Sequence, residues 1–149
     1  MRIHHSLESA VPFLLARAGI SMGNQFTKQL LPYGVSLIEW RVCVTLYTKQ
    51  DSTLGQLTDI CSNDTSTLSR TVSGLIKKGF VNRVQSSLDK RSFELSLTRK
   101  GKGLAEKIIP LAQRYEEKAL LNFNRSEADQ LRAYLNRVYL NINILPDIL

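Results

Sequence analysis

Two short amphipathic segments lie only three residues apart, and this spacing restricts the fold more than any other feature of the sequence. Residues 54–61 and 65–78 both carry apolar side chains at helical intervals, and the tripeptide "SND" separates them. A link this short is typical of a helix-turn-helix, although the usual glycine of the turn is absent. Asp64, the last residue of the link, can cap the second helix by accepting hydrogen bonds from the free amides of its first turn.

The second helix of this pair has one apolar side and one polar side. Leu68, Val72, Leu75 and Ile76 cluster on the apolar side at a spacing of about 100° per residue. The opposite side contains hydroxyls and cations but no acid. Short hydroxyls permit close approach to a groove floor, and an arginine can bind guanine through two hydrogen bonds. The residues of this helix that we predict to contact DNA are Ser66, Thr67, Ser69, Arg70, Ser73 and Lys77.

Two predicted strands, residues 81–85 and 92–97, follow a left-handed helix end at Gly79. Apolar and polar side chains alternate along the second strand, which is the period of a half-buried strand. The strands therefore form a β-hairpin beside the second helix, and this hairpin is called the wing below. An arginine at its tip suits the narrow, negative minor groove of DNA, and the neighbouring acid is expected to restrict how that arginine folds back. The loop residues that we predict to contact DNA are Ser87, Asp89, Lys90 and Arg91.

The positive charge of the chain is concentrated around these two elements. The formal net charge is +7, and residues 65–107 hold ten lysines and arginines against three acids, while the remaining residues sum to zero. A basic region of this kind most often binds a polyanion such as nucleic acid. A solvated basic face without a partner would show the same composition.

Four further segments have helical periodicity, and the length of 149 residues suits one ordinary domain. These predicted helices are 12–31, capped by Ser9; 36–48; 98–122, interrupted by Pro110; and 126–144, opened by the capping pattern "SEAD". The fold class predicted from all elements is mainly α with a small β-hairpin wing.

The last helix carries more apolar surface than one small domain should leave exposed to solvent. Its main stripe is Leu131, Leu135, Val138, Ile142 and Leu145, widened by Tyr134, Tyr139, Leu140 and Ile144. This stripe predicts contact with a second copy of the chain. The alternative is a helix buried inside the core of a single chain.

Three quoted stretches carry a resemblance to a known family. The stretch "DKRSFELSLTRKG" at 89–101, of pattern DxRxxxLxLTxxG, resembles the wing signature of the MarR family, whose members are bacterial-type winged helix-turn-helix transcriptional regulators. The stretches "LGQLTDICSNDTSTLSRTVSGLIKKGFVNR" at 54–83 and "EWRV" at 39–42 are similar to the helices of that family's DNA-binding lobe.

The resemblance covers essentially the whole chain and implies its domain organisation and partners. It implies a single domain over 1–149, with a winged helix-turn-helix lobe at 36–100 and dimerisation helices at 6–34 and 101–149. It also implies a homodimer on an inverted-repeat operator in double-stranded DNA, with each wing in a minor groove beside a recognition helix in the major groove. The expected function is a transcriptional repressor that a small-molecule effector releases.

No motif marks the effector. Arg17 follows an apolar run, and Trp40 and Arg41 open the second helix, so a cation and an aromatic ring could meet near the junction. A small aromatic carboxylate would suit these residues. Two surface arginines and a core tryptophan would give the same pattern.

Catalysis, metal binding and membrane insertion find little support in the sequence. It has no glycine-rich phosphate loop, no nucleophile with an obvious base and no metal-ligand spacing, so we expect no enzyme activity, cofactor or metal. No apolar run approaches the roughly 18 residues that span a bilayer, and no signal-peptide pattern is present, which favours a cytoplasmic protein. Cys43 and Cys61 are expected to pack structurally, and a redox role for either stays open.

Two functions of different classes therefore remain at the level of sequence. The preferred one is a ligand-responsive, dimeric DNA-binding repressor. The alternative is a winged-helix protein-interaction module whose basic wing binds an acidic partner. The operator sequence, the effector and the choice between repression and activation are not encoded in any recognisable motif.

Overall fold

The computed structural model describes residues 6–61 and 63–144, and it is mainly helical with one small sheet. The helices are α1 (Val11–Leu30), α2 (Leu37–Lys49), α3 (Leu54–Cys61), α4 (Thr65–Lys77), α5 (Arg99–Ala119) and α6 (Arg125–Ile144). The strands are β1 (Ser52–Thr53), β2 (Val81–Gln85) and β3 (Phe93–Leu97), and short 3-10 turns occupy Leu7–Ser9 and Leu31–Tyr33. The predicted fold class is confirmed.

The chain divides into two compact units, one ending at Gln113 and one beginning at Arg114. The first unit contains the helix-turn-helix and the wing. Its core is built from apolar side chains of α1 to α5 and of the strands, and among those from α2, α3 and α4 the residues Val42, Leu57, Leu68 and Leu75 are fully buried. The apolar side of α4 predicted from the sequence is thus the side that packs inward, except at Ile76, which is 36% exposed.

The start of α2 is fixed by its first residues and by the end of α4. Ser36 and Glu39 form a capping box, in which the Glu39 amide donates to Ser36 Oγ at 3.2 Å and the Ser36 amide donates to Glu39 Oε2 at 2.8 Å. The ammonium group of Lys78 donates to Glu39 Oε1 at 2.7 Å and to the Gly34 carbonyl at 3.0 Å. Lys78 therefore belongs to the scaffold that holds α4 against the start of α2, although it lies in the basic third of the sequence.

The sheet has the strand order β1–β3–β2, with both pairs antiparallel. Val81 lies opposite Leu97 and Gln85 lies opposite Phe93, so the wing hairpin is in register along its whole length. The sequence predicted β2 and β3 but not the two-residue strand β1. Two residues are too few to show a period of two.

Two predicted helix caps are wrong. The residue before α1 is Ala10, which makes no side-chain cap, while the Ser9 hydroxyl donates to the Ser6 carbonyl at 3.1 Å. The cap of α6 is Asn124: its Oδ1 accepts from the Glu127 amide at 3.0 Å, and Glu127 Oε2 accepts from the Asn124 amide at 2.8 Å. This capping box begins two residues before the predicted one, because asparagine serves as well as serine at this position.

The second unit, described by itself, leaves the apolar stripe of α6 uncovered. No residue of α6 is buried, and Leu135, Tyr139 and Ile142 are 43%, 48% and 65% exposed. In the single chain α6 is therefore not the internal core helix that the sequence left as an alternative. Leu145, the last member of the predicted stripe, lies outside the described residues.

Candidate DNA-binding surface

The first turn of α4 is organised by its cap. Asp64 accepts hydrogen bonds from the Thr67 amide at 2.8 Å and from the Thr67 hydroxyl at 2.6 Å, as the sequence predicted for this cap. These bonds from Thr67, the hydroxyl first, lower the pKa of the Asp64 carboxyl, and nearby Arg70 lowers it further. The Thr67 hydroxyl is thus engaged in holding the helix end, and Thr67 is only partly exposed.

The other predicted contact residues of α4 lie on its exposed side. Ser66, Ser69, Arg70, Ser73 and Lys77 are all exposed. The Ser73 hydroxyl donates to the Ser69 carbonyl at 2.9 Å, which leaves its oxygen lone pairs facing outward as acceptors. The exposed side of α4 therefore carries short polar side chains where the hydroxyls lie, and cationic side chains at Arg70 and Lys77.

The tip of the wing is fixed by side-chain hydrogen bonds to its own backbone. Asp89 Oδ1 accepts from the Arg91 amide at 2.9 Å, and the Asp89 carbonyl accepts from the Ser92 amide at 3.0 Å. The buried hydroxyl of Ser86 donates to Glu94 Oε1 at 3.0 Å and accepts from the Leu88 amide at 3.2 Å. Asp89 therefore fixes the backbone at Arg91. The sequence had led us to expect an effect of Asp89 on the arginine side chain instead.

Arg83 and Phe93 form a contact at the base of the wing that sequence reasoning missed. The guanidinium carbon of Arg83 lies 3.8 Å from the centre of the Phe93 ring, a cation–π distance. Phe93 is 40% exposed, although the alternation along β3 predicted an inward side chain. The pair could have been found from the hairpin register, because Arg83 is opposite Leu95 and hence two residues from Phe93 on the same face.

A concave surface joins α4 to the wing within the first unit. It forms an open cavity of about 420 Å³ whose lining combines two guanidinium groups and several hydroxyls with the apolar side chains of Leu54, Val72, Phe93 and Leu95. Its polar lining residues are Thr53, Ser69, Ser73, Arg83, Arg91 and Ser92. The cavity thus brings together predicted contact residues from both elements, and its chemistry is complementary to an anion such as the phosphate of a DNA strand passing between helix and wing.

The three residues considered for an effector occupy different environments. Trp40 is buried, and its ring centre lies 6.4 Å from that of Phe26 in a tilted pair. The Arg17 guanidinium carbon lies 5.4 Å from the centre of the Phe13 ring. Burial raises the pKa of the Cys61 thiol, and the exposed guanidinium of nearby Arg41 only partly offsets this rise. Trp40 is therefore a core residue, and only the two arginines present polar groups at the surface.

Both cysteines are free thiols packed in the core. Burial, followed by the nearby charge of Glu39, raises the pKa of Cys43 from 9.0 to about 12, and burial also raises the pKa of Cys61. Because the thiolate is the reactive form, burial disfavours reaction of either thiol in this conformation. Among the described residues, no group of three or more histidines, cysteines and acids could hold a metal ion. None of the described helices is long and apolar enough to cross a membrane.

Comparison with known proteins shows which family the DNA-binding lobe resembles. The MarR family sequence profile matches residues 35–93, from the start of α2 through the wing. The HTH-type transcriptional regulator MhqR of Bacillus subtilis (strain 168) is 27% identical over 128 residues, which make up 86% of this chain and 88% of MhqR.

Solved structures show the same fold. A MarR family transcriptional regulator from Silicibacter pomeroyi matches with a TM-score of 0.83 and 26% identity, over 93% of this chain and 95% of that one. A mutant of MarR from E. coli in complex with operator DNA matches with a TM-score of 0.77 and 21% identity, over 89% and 96%. BpsR of Bordetella bronchiseptica, whose DNA binding is regulated by 6-hydroxynicotinic acid, matches with a TM-score of 0.78 and 19% identity, over 87% and 98%.

The pairing of α3 with α4 and the hairpin that follows define a winged helix-turn-helix DNA-binding protein. The chain is similar to the MarR family of transcriptional regulators, whose profile it matches from the start of α2 through the wing. Members of this family regulate transcription and are not enzymes, so the resemblance found in the sequence is confirmed along with the class of function.

Proposed function

We propose that the protein binds an inverted-repeat operator as a cytoplasmic homodimer and represses transcription until a small aromatic acid releases it. The observation that carries this proposal is the single concave, cationic surface formed by the exposed side of α4 and the wing. In this arrangement α4 enters a major groove and the wing tip enters the adjacent minor groove. The operator-bound relative supports this docking, since it shares the fold of the lobe.

The dimer is proposed from the helices outside the lobe. We assign residues 36–100 to the DNA-binding lobe and residues 6–34 and 101–149 to dimerisation. The exposed apolar residues of α6 support this assignment, as do Leu14, Ile20 and Met22 of α1, which are 38%, 64% and 42% exposed. Apolar surface of this extent in a single chain is expected to be covered by a second copy.

The effector is proposed from the chemistry of two arginines. Arg17 and Arg41 are exposed and can each bind a carboxylate, while Trp40 can contribute only through the core that it supports. Regulation of BpsR by an aromatic acid supports an effector of this class.

The proposal is tested by selection from random duplex DNA with the purified protein, followed by light scattering of the complex. We expect enrichment of an inverted repeat and one dimer per operator, with the dimer persisting after dilution to nanomolar protein. A monomer at micromolar concentration, or no enriched sequence, would contradict the proposal. A reporter gene under the selected operator then separates repression from activation.

Replacement of Arg70 by alanine is expected to relax base preference at one position in each half-site. The loss of a bidentate contact to guanine should cost about 1 to 3 kcal/mol for the preferred base there. The measurement is a titration of wild type and variant against operators changed one base pair at a time. An equal loss on every sequence would mean that Arg70 binds a phosphate instead.

Replacement of Arg91 by alanine is expected to weaken binding most on operators with A·T-rich outer flanks. A narrow A·T-rich groove concentrates negative potential, so the arginine should contribute about 1.5 to 3 kcal/mol there and less in a wide G·C-rich groove. Two operators with identical cores and either flank, titrated at one salt concentration, measure the difference. Equal losses on both operators would leave only a general phosphate contact.

Asp89→Asn serves as the comparison for Arg91→Ala. The amide oxygen of asparagine can still accept from the Arg91 backbone amide, so the turn at the wing tip should persist and the loss should be smaller. Asp89→Ala removes that acceptor and should approach the effect of Arg91→Ala. If Asp89→Ala binds as tightly as wild type, Asp89 does not control the direction of Arg91.

A further inference from the structure

Leu88 projects from the tip of the wing with almost its whole side chain in solvent. It is 93% exposed, more than any other large apolar residue among the residues that the structure describes. One exposed leucine is common on protein surfaces and by itself indicates nothing. The position of this one is unusual because its backbone is fixed and its loop carries two cations, Lys90 and Arg91, beside the one acid Asp89.

The backbone at Leu88 is held by the same bonds that order the tip. Its amide donates to Ser86 Oγ at 3.2 Å, and that hydroxyl is buried and donates in turn to Glu94 Oε1 at 3.0 Å. The Ser86 amide also donates to the Ser92 carbonyl at 2.9 Å, which closes the loop. The backbone at Leu88 is thus fixed before any partner binds, so little backbone conformational entropy is lost on insertion.

The charges beside Leu88 indicate what it meets. Lys90 and Arg91 follow within three residues and are exposed, and the concave surface that contains Arg91 suits a phosphate backbone. Cations draw the tip onto DNA, but a leucine side chain gains free energy only where it leaves water. In a minor groove such a place exists between the stacked bases of a step that opens.

We propose that Leu88 is a wedge that enters the minor groove beside Arg91 and partly unstacks one base step. This rests on the proposed binding of operator DNA and extends it to a second kind of sequence reading. Arg91 would respond to groove width, whereas Leu88 responds to how easily a step deforms. Pyrimidine–purine steps such as TA unstack most readily, so the outer flank of a good operator should contain one at the wing position.

The test uses two operators with identical cores and flanks of equal A·T content, one with a TA step at the wing position and one with an uninterrupted A-tract. Wild-type protein should bind the TA operator more tightly by about 5- to 10-fold at fixed salt. Leu88→Ala should reduce this ratio to one or below, because Arg91 by itself favours the narrower groove of the A-tract. Energy transfer between dyes at the two DNA ends should show a smaller bend with Leu88→Ala than with wild type.

Two further variants separate a wedge from general effects on the wing. Val84→Ala removes another apolar side chain from the wing, 60% exposed on β2, and should keep the preference for TA. Leu88→Lys should hold or raise total affinity by adding a charge, yet lose the preference for TA. Retention of that preference by Leu88→Ala or Leu88→Lys overturns the wedge.

The Leu88 wedge and the proposed operator binding would be contradicted by different results. If wild type selects the operator but Leu88→Ala leaves the ratio between the TA and A-tract operators unchanged, the wedge is wrong and DNA binding stands. If wild type selects no operator at all, the proposed function fails, and the wedge fails with it.

Discussion

Replacing Gly101 by alanine is expected to destabilise the protein by about 3 kcal/mol or more, among the largest effects of any single methyl group in this chain. A Cβ atom at this position would overlap the carbonyl oxygen of Phe80 and lie 3.0 Å from its carbonyl carbon. The obstacle is backbone, which cannot rotate away as a side chain could. Thermal unfolding should show the midpoint lowered by roughly 6 to 12 °C.

The close approach at Gly101 is made by the hydrogen bonds at the start of α5. The Thr98 hydroxyl donates to the Gly79 carbonyl at 2.7 Å and accepts from the Gly101 amide at 3.0 Å, while the Thr98 amide donates to the Phe80 carbonyl at 3.0 Å. These bonds draw the first turn of α5 onto the chain that links α4 to β2. The threonine and glycine of the "LTRKG" stretch are therefore explained by packing between the wing and α5.

Gly103→Ala is the matched control for Gly101→Ala. Gly103 lies in the same helix two residues later, and a Cβ there meets nothing within 4 Å. Alanine should stabilise the helix at this position by about 0.5 to 1 kcal/mol, since glycine loses more backbone entropy on folding. If both variants lower the unfolding midpoint equally, the contact with Phe80 is not the cause.

The helix-turn-helix and wing could be predicted closely because their signals are local. The apolar period of α4, the cap at Asp64 and the left-handed Gly79, whose φ is 75°, each depend on neighbouring residues alone. For the same reason, β2 was predicted to its observed bounds. The fold of the lobe thus follows from patterns within about 30 residues, to which the family resemblance adds the docking mode.

The interactions between distant residues could not be predicted from the sequence. The ion pair of Lys78 with Glu39 joins residues far apart in the chain, and no local pattern distinguishes Lys78 from Lys77. The bond of Ser86 to Glu94 and the stacking of Arg83 on Phe93 require the hairpin register, which a sequence indicates only loosely. As a result, the sequence located the basic region but did not show which of its cations serve the scaffold.

Some cations of the basic region hold the scaffold and others face solvent, and this difference determines how strongly salt should weaken operator binding. Binding to the operator should weaken by about 10³- to 10⁵-fold between roughly 50 and 200 mM salt, because each neutralised phosphate contributes about −0.9 to the slope of log affinity against log salt. The exposed cations on the proposed DNA face are Arg70, Lys77, Arg83, Lys90 and Arg91. Lys78 and Lys100 are excluded from this set, since their ammonium groups donate to Glu39 and to the Lys78 carbonyl.

The adjacent lysines Lys77 and Lys78 allow the assignment to be tested within one helix end. Lys77→Gln should reduce the steepness of the salt slope by about 0.9 for each protomer on the operator, because an exposed phosphate contact is lost. Lys78→Gln should leave the slope unchanged, since its ammonium neutralises Glu39 in the free protein and the bound one alike. Both slopes are obtained from titrations at several salt concentrations, with circular dichroism to show that each variant is folded. If Lys78→Gln flattens the slope as much as Lys77→Gln, then Lys78 leaves Glu39 to bind DNA, and α2 and α4 are not held together by this pair in the complex.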